Sequence, residues 1–147
     1  MAQSIKLGSD TYLDESDVML DSSSSSRKTI AQARSAVPFS LTYSFTPTQK
    51  MENIYYNPLT REVHIEILLY SANTEIPGAN ESVATIPSGY RPSSTVATYC
   101  ICSFTDYGTG DYRLEGVNIN TDGTIRPRNF LVGRATQVFA MTATYHI

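Results

Sequence analysis

Apolar and polar residues alternate with a period of two along several segments of the chain, and this pattern predicts β-strands buried on one face. The clearest case is the segment from residue 62 to residue 70. Its large apolar residues fall on one face of a strand: Val63, Ile65, Ile67 and Leu69. The segment 137–147 aligns a second apolar set: Phe139, Met141, Ala143, Tyr145 and Ile147. Both segments are therefore predicted to be strands with one face in a core.

Other segments with strand-like patterns lie before and between these two. The segment from Phe39 to Phe45 alternates and predicts a single half-buried strand. The segment from Thr95 to Phe104 is long and apolar, so we expect a strand that is buried on both faces. Further strands are predicted at 51–56, 82–86, 112–120 and 124–128.

Turn-forming residues separate the predicted strands. They occur at 57–60, 77–80, 87–92, 106–111 and 121–124. Pro87 and Pro92 fix backbone angles, Gly89 suits a tight turn, and Asp122-Gly123 favours a hairpin. About eight strands at short spacing, without interposed helices, predict an all-β fold. We expect an antiparallel β-sandwich of jelly-roll type over residues 37–147.

Residues 1–36 differ from this pattern and are predicted to form an arm and a short helical neck. Ile5-Lys6-Leu7 and Thr11-Tyr12-Leu13 flank a glycine-containing turn, which predicts a short hairpin or an extended arm. A serine run, Ser22 to Ser26, precedes the segment Arg27 to Arg34, which is predicted to be a short helix. Ile30 is its only large apolar residue, so the helix is marginal on its own. We therefore predict that the helix associates with other copies of the chain, with their Ile30 side chains close to a common axis.

The charge balance argues against nucleic acid as a partner. The chain of 147 residues has 11 Lys and Arg against 14 Asp and Glu, and its basic residues are scattered. A nucleic-acid groove needs a basic stripe. The first residues lack the apolar core of a secretory signal, and no apolar run is long enough to span a bilayer. We therefore expect synthesis in a cytosol and no membrane partner.

Reactive side chains are few and dispersed. Cys100 and Cys102 are two residues apart, so in a strand they point to the same face. This pair could be half of a metal site, but no second cysteine pair exists. We therefore prefer the interpretation that both cysteines are small, buried apolar residues. His64 and His146 are isolated, and no catalytic or phosphate-binding motif is present. The sequence therefore predicts a protein without enzymatic activity, metal or cofactor.

Three segments resemble fibre proteins of bacteriophages. Ile5–Asp14 resembles the attachment arm of tail and head fibre proteins. Ala84–Pro92 contains Ile-Pro-Ser-Gly-Tyr-Arg-Pro, which resembles a recurrent turn of fibre heads, and Gly116–Ile125 is similar to the strand-turn-strand that follows it there. The resemblance implies a homotrimer in a virion, made in the cytoplasm of a host bacterium, with an arm, a neck and a β-sandwich head. The neck is too short for a long coiled coil, which favours a stubby spike.

The resemblance also implies that the arm attaches to another virion protein. The arm is more apolar than a free tail requires. Its apolar residues are Ile5, Leu7, Tyr12, Leu13, Val18, Met19 and Leu20. We expect them to dock by strand addition or by filling a groove.

Phage fibre heads often bind host-surface saccharides, and one glycine-rich loop of this head has suitable residues. It offers carboxylates, hydroxyls, aromatic faces and a guanidinium: Asp106, Tyr107, Thr109, Asp111, Tyr112 and Arg113. These groups suit a neutral or mildly acidic saccharide, bound weakly and strengthened by three-fold avidity. The competing interpretation is that the loop only turns the chain.

Two functional hypotheses remain open at the level of sequence. One is a particle-bound trimer whose head contacts the host surface. The other is a purely architectural head fibre, decoration or adaptor protein without a receptor. A third, a cellular sandwich protein that binds a small ligand, is disfavoured because such a protein is expected to lack the arm and the neck.

Overall fold

The computed structural model describes residues 4–7, 11–14, 36–71, 76–77, 81–104, 112–128 and 136–147. The first strands of this part, β1 (Ser4–Leu7) and β2 (Thr11–Asp14), pair antiparallel as a two-stranded sheet. Ile5 lies opposite Leu13 in this pair, so of the two alternatives predicted for the arm, a short hairpin and an extended arm, the structure shows the hairpin. The predicted neck with Ile30 lies outside the described residues, as do Val18, Met19 and Leu20.

Nine strands form a second sheet. They are β3 (Val37–Pro38), β4 (Thr42–Tyr43), β5 (Gln49–Asn57), β6 (Glu62–Tyr70), β7 (Ala84–Thr85), β8 (Val96–Phe104), β9 (Tyr112–Ile119), β10 (Thr124–Pro127) and β11 (Thr136–His146). A 3₁₀ turn, Ser88–Tyr90, lies between β7 and β8. The order across the sheet is β3-β5-β6-β11-β8-β9-β10-β7-β4, and each neighbouring pair is antiparallel. The predicted all-β antiparallel fold class is confirmed.

This sheet curls until its two edges approach each other. β3 lies at one edge and β4 at the other, and only residues 39–41 connect them. Such a connection spans at most about 14 Å, whereas nine flat strands would be about 38 Å wide. The layers expected of a sandwich are therefore parts of one continuous sheet that surrounds a single hydrophobic core.

The crossing between the two edges corrects one prediction. Phe39 to Phe45 is not a single strand, because the chain leaves β3 and joins the opposite edge as β4 within this segment. The alternation still predicts which side chains of this segment face the core. Leu41 is buried, and Phe39, Tyr43 and Phe45 pack partly against the core. The period of two thus identified which side chains face inward but not the strand to which they belong.

β6 and β11 are neighbours in the sheet and supply much of the core. Their predicted inward faces are confirmed, because Phe139 lies opposite Leu69 and Met141 opposite Ile67, with all four side chains buried. β8, the neighbour of β11 on its other side, differs from the prediction. Its inner face is buried, but its outer face is exposed. The expectation that β8 is buried on both faces is wrong for the single chain, since no second layer of the described residues covers it.

Candidate functional site

The two head segments that resemble fibre proteins pack against each other at one corner of the sheet. The amide of Ile86 donates to the carbonyl oxygen of Gly123 at 2.8 Å. Gly123 has a φ of 87°, a conformation that glycine adopts without steric cost. A Cβ on Gly123 would lie 2.6 Å from the carbonyl oxygen of Ile86. Arg91 Nε donates to that same oxygen at 3.1 Å, so the two segments form one interlocked unit.

Tyr90 anchors the proline-flanked turn. Its ring stacks on Phe39 with the centroids 4.2 Å apart, and its centroid lies 5.6 Å from that of Tyr56. The hydroxyl of Tyr145 donates to the carbonyl oxygen of Tyr90 at 2.7 Å. Burial raises the pKa of Tyr145, because the phenolate would lose its hydration. The turn is thereby fixed by stacking on one side and by a partly buried hydrogen bond on the other.

Asp122 holds the adjacent hairpin between β9 and β10. Its Oδ1 accepts hydrogen bonds from the hydroxyl of Thr124 at 2.6 Å and from the amide of Thr124 at 2.9 Å. These two bonds hold the pKa of Asp122 below its ordinary value. The amide of Gly123 donates to the carbonyl oxygen of Asn120 at 2.9 Å. The tight turn predicted at 121–124 is confirmed.

A second feature is an apolar row on the outer face of five neighbouring strands. The register places these side chains opposite one another across β5, β6, β11, β8 and β9: Met51, Leu68, Ala140, Ile101 and Leu114. Tyr99 lies beside the row on β8. The large side chains of this set expose between 41% and 70% of their surface. We call these six residues the apolar face.

A groove of about 530 Å³ lies in the apolar face. Its lining includes Ala140 and Thr142 of β11, with Leu68 of β6 on one side and Ile101 of β8 on the other. Ala140 is the smallest residue of the row. The middle of the face is therefore lower than its two sides.

Polar side chains lie next to the apolar face on strands β5, β6 and β11. Asn53 Nδ2 donates to Glu66 Oε2 at 3.2 Å. His64 Nε2 lies 4.0 Å from the same carboxylate oxygen, and His64 Nδ1 lies 3.1 Å from Thr144 Oγ1. The ring of Tyr55 stacks on His64 at a centroid distance of 4.9 Å. The outer face thus changes from apolar to hydrogen-bonded polar groups along the same strands.

The two cysteines face the core. Both side chains are buried, and Cys102 Sγ lies 3.7 Å from the carbonyl oxygen of Arg113. The contact with Cys102 and burial raise the pKa of Cys100, so this thiol stays protonated. Among the described residues, no three His, Cys, Asp or Glu side chains come together as a metal ligand set. Over the same ranges, no helix is long and apolar enough to cross a membrane.

The predicted receptor loop is described only at its C-terminal end. Tyr112 begins β9 with an exposed side chain, and Arg113 follows it. Asp106, Tyr107, Thr109 and Asp111 lie outside the described residues, so their convergence stays a prediction. Alternation along β9 places Tyr112 on the same outer side as Leu114 of the apolar face.

Alternation alone does not predict the apolar face. It identifies one buried side of each strand, whereas the register across five strands decides that Leu68, Ile101 and Leu114 align. The mostly apolar composition of 95–104 was the one sequence signal for a second apolar surface.

The chain matches no protein-family model, and it matches no curated protein. Its function is therefore inferred from its own residues, from the interlocked corner at Gly123 and from the apolar face.

Proposed function

We propose that the chain is a structural fibre or spike protein of a bacteriophage particle, present as a homotrimer whose head contributes to attachment to the host surface. The observation that carries this proposal is the corner at Gly123. Ala84–Pro92 and Gly116–Ile125 resemble fibre heads at separate places in the sequence, and they are joined by a hydrogen bond and a steric fit. Contact between the two motifs is a stricter requirement than the presence of either motif alone. That the chain meets it supports the resemblance.

The N-terminal hairpin supports a role in attachment to the particle. β1 and β2 form a sheet of their own, with Lys6 opposite Tyr12 and Leu7 opposite Thr11. A two-stranded sheet is marginal by itself in water, and strand addition to another protein would stabilise it. On this proposal, the arm docks on another virion protein after synthesis in the cytoplasm of the host bacterium, and the head projects from the particle.

The position of the predicted receptor loop supports host contact. β8 and β9 are antiparallel neighbours, with Ser103 opposite Tyr112, so the residues between them connect the strands at one end of the sheet. Connecting loops on a rigid sheet are common sites of binding. On this proposal, the loop contacts a host-surface saccharide through its carboxylates, hydroxyls and aromatic rings.

A second candidate is a purely architectural head fibre, decoration or adaptor protein. The apolar face favours it, because large exposed apolar side chains suit assembly with protein more than weak contact with sugar hydroxyls. Both candidates are virion proteins, and they differ in whether the head contacts a receptor.

The deciding experiment locates the chain in purified particles and then tests adsorption. Absence of the chain from particles would contradict the whole proposal, and a whole-particle reconstruction distinguishes a tail tip from a capsid position. The double substitution Tyr107→Ala and Asp111→Ala should reduce adsorption to host cells at an unchanged melting temperature. Leu59→Ala, in an exposed turn away from this loop, is the matched control. Unchanged adsorption would favour the architectural candidate.

A further inference from the structure

We propose that further copies of the same chain cover the apolar face, so that the heads themselves hold the oligomer together. The number of copies, three, rests on the proposed function. The surface itself is assigned from the area, the shape and the charge of the apolar face.

The exposed area of the apolar face is sufficient for a specific interface. Its large side chains expose on the order of 600 Å² together. A standard interface takes about 800 Å² from each partner, and a little over half of that area is apolar. The largest apolar patch of a typical monomer is roughly 300–600 Å². The face therefore matches the apolar share of a standard interface and lies at the upper end of what a monomer exposes.

The shape of the apolar face fits another sheet. Leu68, Ala140 and Ile101 lie on strands that are paired on both sides, so an incoming strand cannot form backbone hydrogen bonds with them. A partner must contact them through side chains, as in sheets that pack face to face about 10 Å apart. The row extends across five strands, a width of about 19 Å. Every copy of the chain carries the same row, so three such faces can meet around a three-fold axis.

The charges of the chain do not oppose this association. No member of the apolar face is charged. Two carboxylates also line the groove: Glu66 accepts a hydrogen bond from Asn53, and Glu52 forms an ion pair with Lys50. The formal net charge of the chain is −3. Repulsion between copies with so small a charge is weak at physiological salt.

The first test places a charge in the apolar face of the full-length chain. Leu114→Glu and Ile101→Glu should each weaken self-association by at least about tenfold, because a carboxylate would be buried without a partner. Leu59→Glu is the matched control, since Leu59 is exposed in a turn outside the face. Sedimentation at micromolar concentrations measures the assembly, and circular dichroism checks that each variant is folded.

The second test requires no substitution in the apolar face. Met51 is 70% exposed in the single chain, so hydrogen peroxide should oxidise it readily unless a partner covers it. In the assembled protein, Met51 should be oxidised several-fold more slowly than the methionine introduced by Leu59→Met. This protection should disappear on dilution, because copies that dissociate expose the face again.

The outcomes separate this inference from the proposed function. A wild-type monomer at micromolar concentration would contradict both the trimer and the inference. An oligomer that resists both glutamate substitutions, with Met51 oxidised as fast as the reference methionine, would overturn the inference and leave the trimer intact. Protection of Met51 that persists at a dilution where sedimentation shows only monomer would mean cover from within the chain and would also overturn it. Protection that is lost on dilution supports the inference even where a variant fails to fold.

Discussion

The carbonyl oxygen of Ile86 occupies the space beside Gly123 where any other residue would carry its Cβ. An ideal Cβ on Gly123 would lie 2.6 Å from that oxygen and 2.7 Å from Arg91 Nε. The same carbonyl accepts a hydrogen bond from Arg91, and the amide of Ile86 donates to Gly123. The turn after β7 and the hairpin between β9 and β10 therefore depend on one glycine.

Gly123→Ala is expected to lower the free energy of unfolding by about 2–4 kcal/mol, because it combines a positive φ with a clash against backbone. Gly89→Ala is the matched control. A Cβ on Gly89 meets nothing within 4 Å, and Gly89 lies in a 3₁₀ turn rather than at a positive φ. Its effect should stay within about 0.5 kcal/mol. Urea unfolding measures both, and equal effects of the two substitutions would contradict this account.

Leu68 and Leu69 are adjacent in β6 and face opposite sides of the sheet. Leu69 is fully buried, so Leu69→Ala should destabilise the fold by about 2–5 kcal/mol. Leu68→Ala should cost less than about 1 kcal/mol in dilute, dissociated protein, but it should weaken self-association at higher concentration. Thermal unfolding followed over a range of concentrations distinguishes the two effects. A concentration-independent loss for Leu68→Ala would argue against a role in the interface.

High pH should destabilise the head through Tyr145, which is buried, and Tyr43, which is partly buried. Burial raises the pKa of Tyr145, and burial together with the hydrogen bond to Glu52 raises that of Tyr43. In the unfolded chain both ionise near the ordinary value of 10.0. Their contribution to stability is therefore complete below about pH 10 and is lost progressively above it.

Tyr145→Phe tests this pH dependence. It removes the hydrogen bond to Tyr90 and should lower stability at neutral pH by about 0.5–1.5 kcal/mol. The further fall in melting temperature above about pH 10 should then be smaller than in the wild type, since one ionisable group is gone. An identical alkaline fall in both proteins would exclude Tyr145 as a contributor.

The thiols should be unreactive in the folded protein. Cys100 and Cys102 are buried on the inner side of β8, so the reagent cannot reach either sulfur in the folded protein. Iodoacetamide should label neither residue in native protein and both in urea, as read by mass spectrometry. Rapid labelling of the native protein would show that the inner side of β8 opens readily to solvent.

The arm should be dispensable for the head and essential for assembly into particles. Deletion of residues 1–20 should leave the far-ultraviolet spectrum of the head and its melting temperature essentially unchanged, because the curled sheet has its own core. The truncated chain should be missing from purified particles when it replaces the wild type. Normal incorporation would disprove attachment through the arm.

The sequence by itself determined the local features of the head. Alternation over 62–70 placed Val63 and Leu69 in the core, and both are buried. Asn57-Pro58-Leu59-Thr60 predicted a turn, and Asn57 Oδ1 accepts hydrogen bonds from the amides of Leu59 and Thr60 at 3.0 and 3.3 Å. These features depend on side chains within a few residues of each other, which a sequence pattern records directly.

Only the tertiary structure decided how the strands combine. β3 and β4 are close in sequence but lie at opposite edges of the sheet. The alignment of Met51 with Leu114 across five strands comes from pairings between distant segments, and so does the contact of Gly123 with Ile86. Strand order and register depend on residues that are distant in the sequence. The alternation of apolar and polar residues does not reveal them, because a strand shows the same alternation whichever strand it pairs with. The sequence therefore predicted the inward faces of strands such as β6, whereas strand order and register decided that the outer apolar side chains of five strands form one exposed surface.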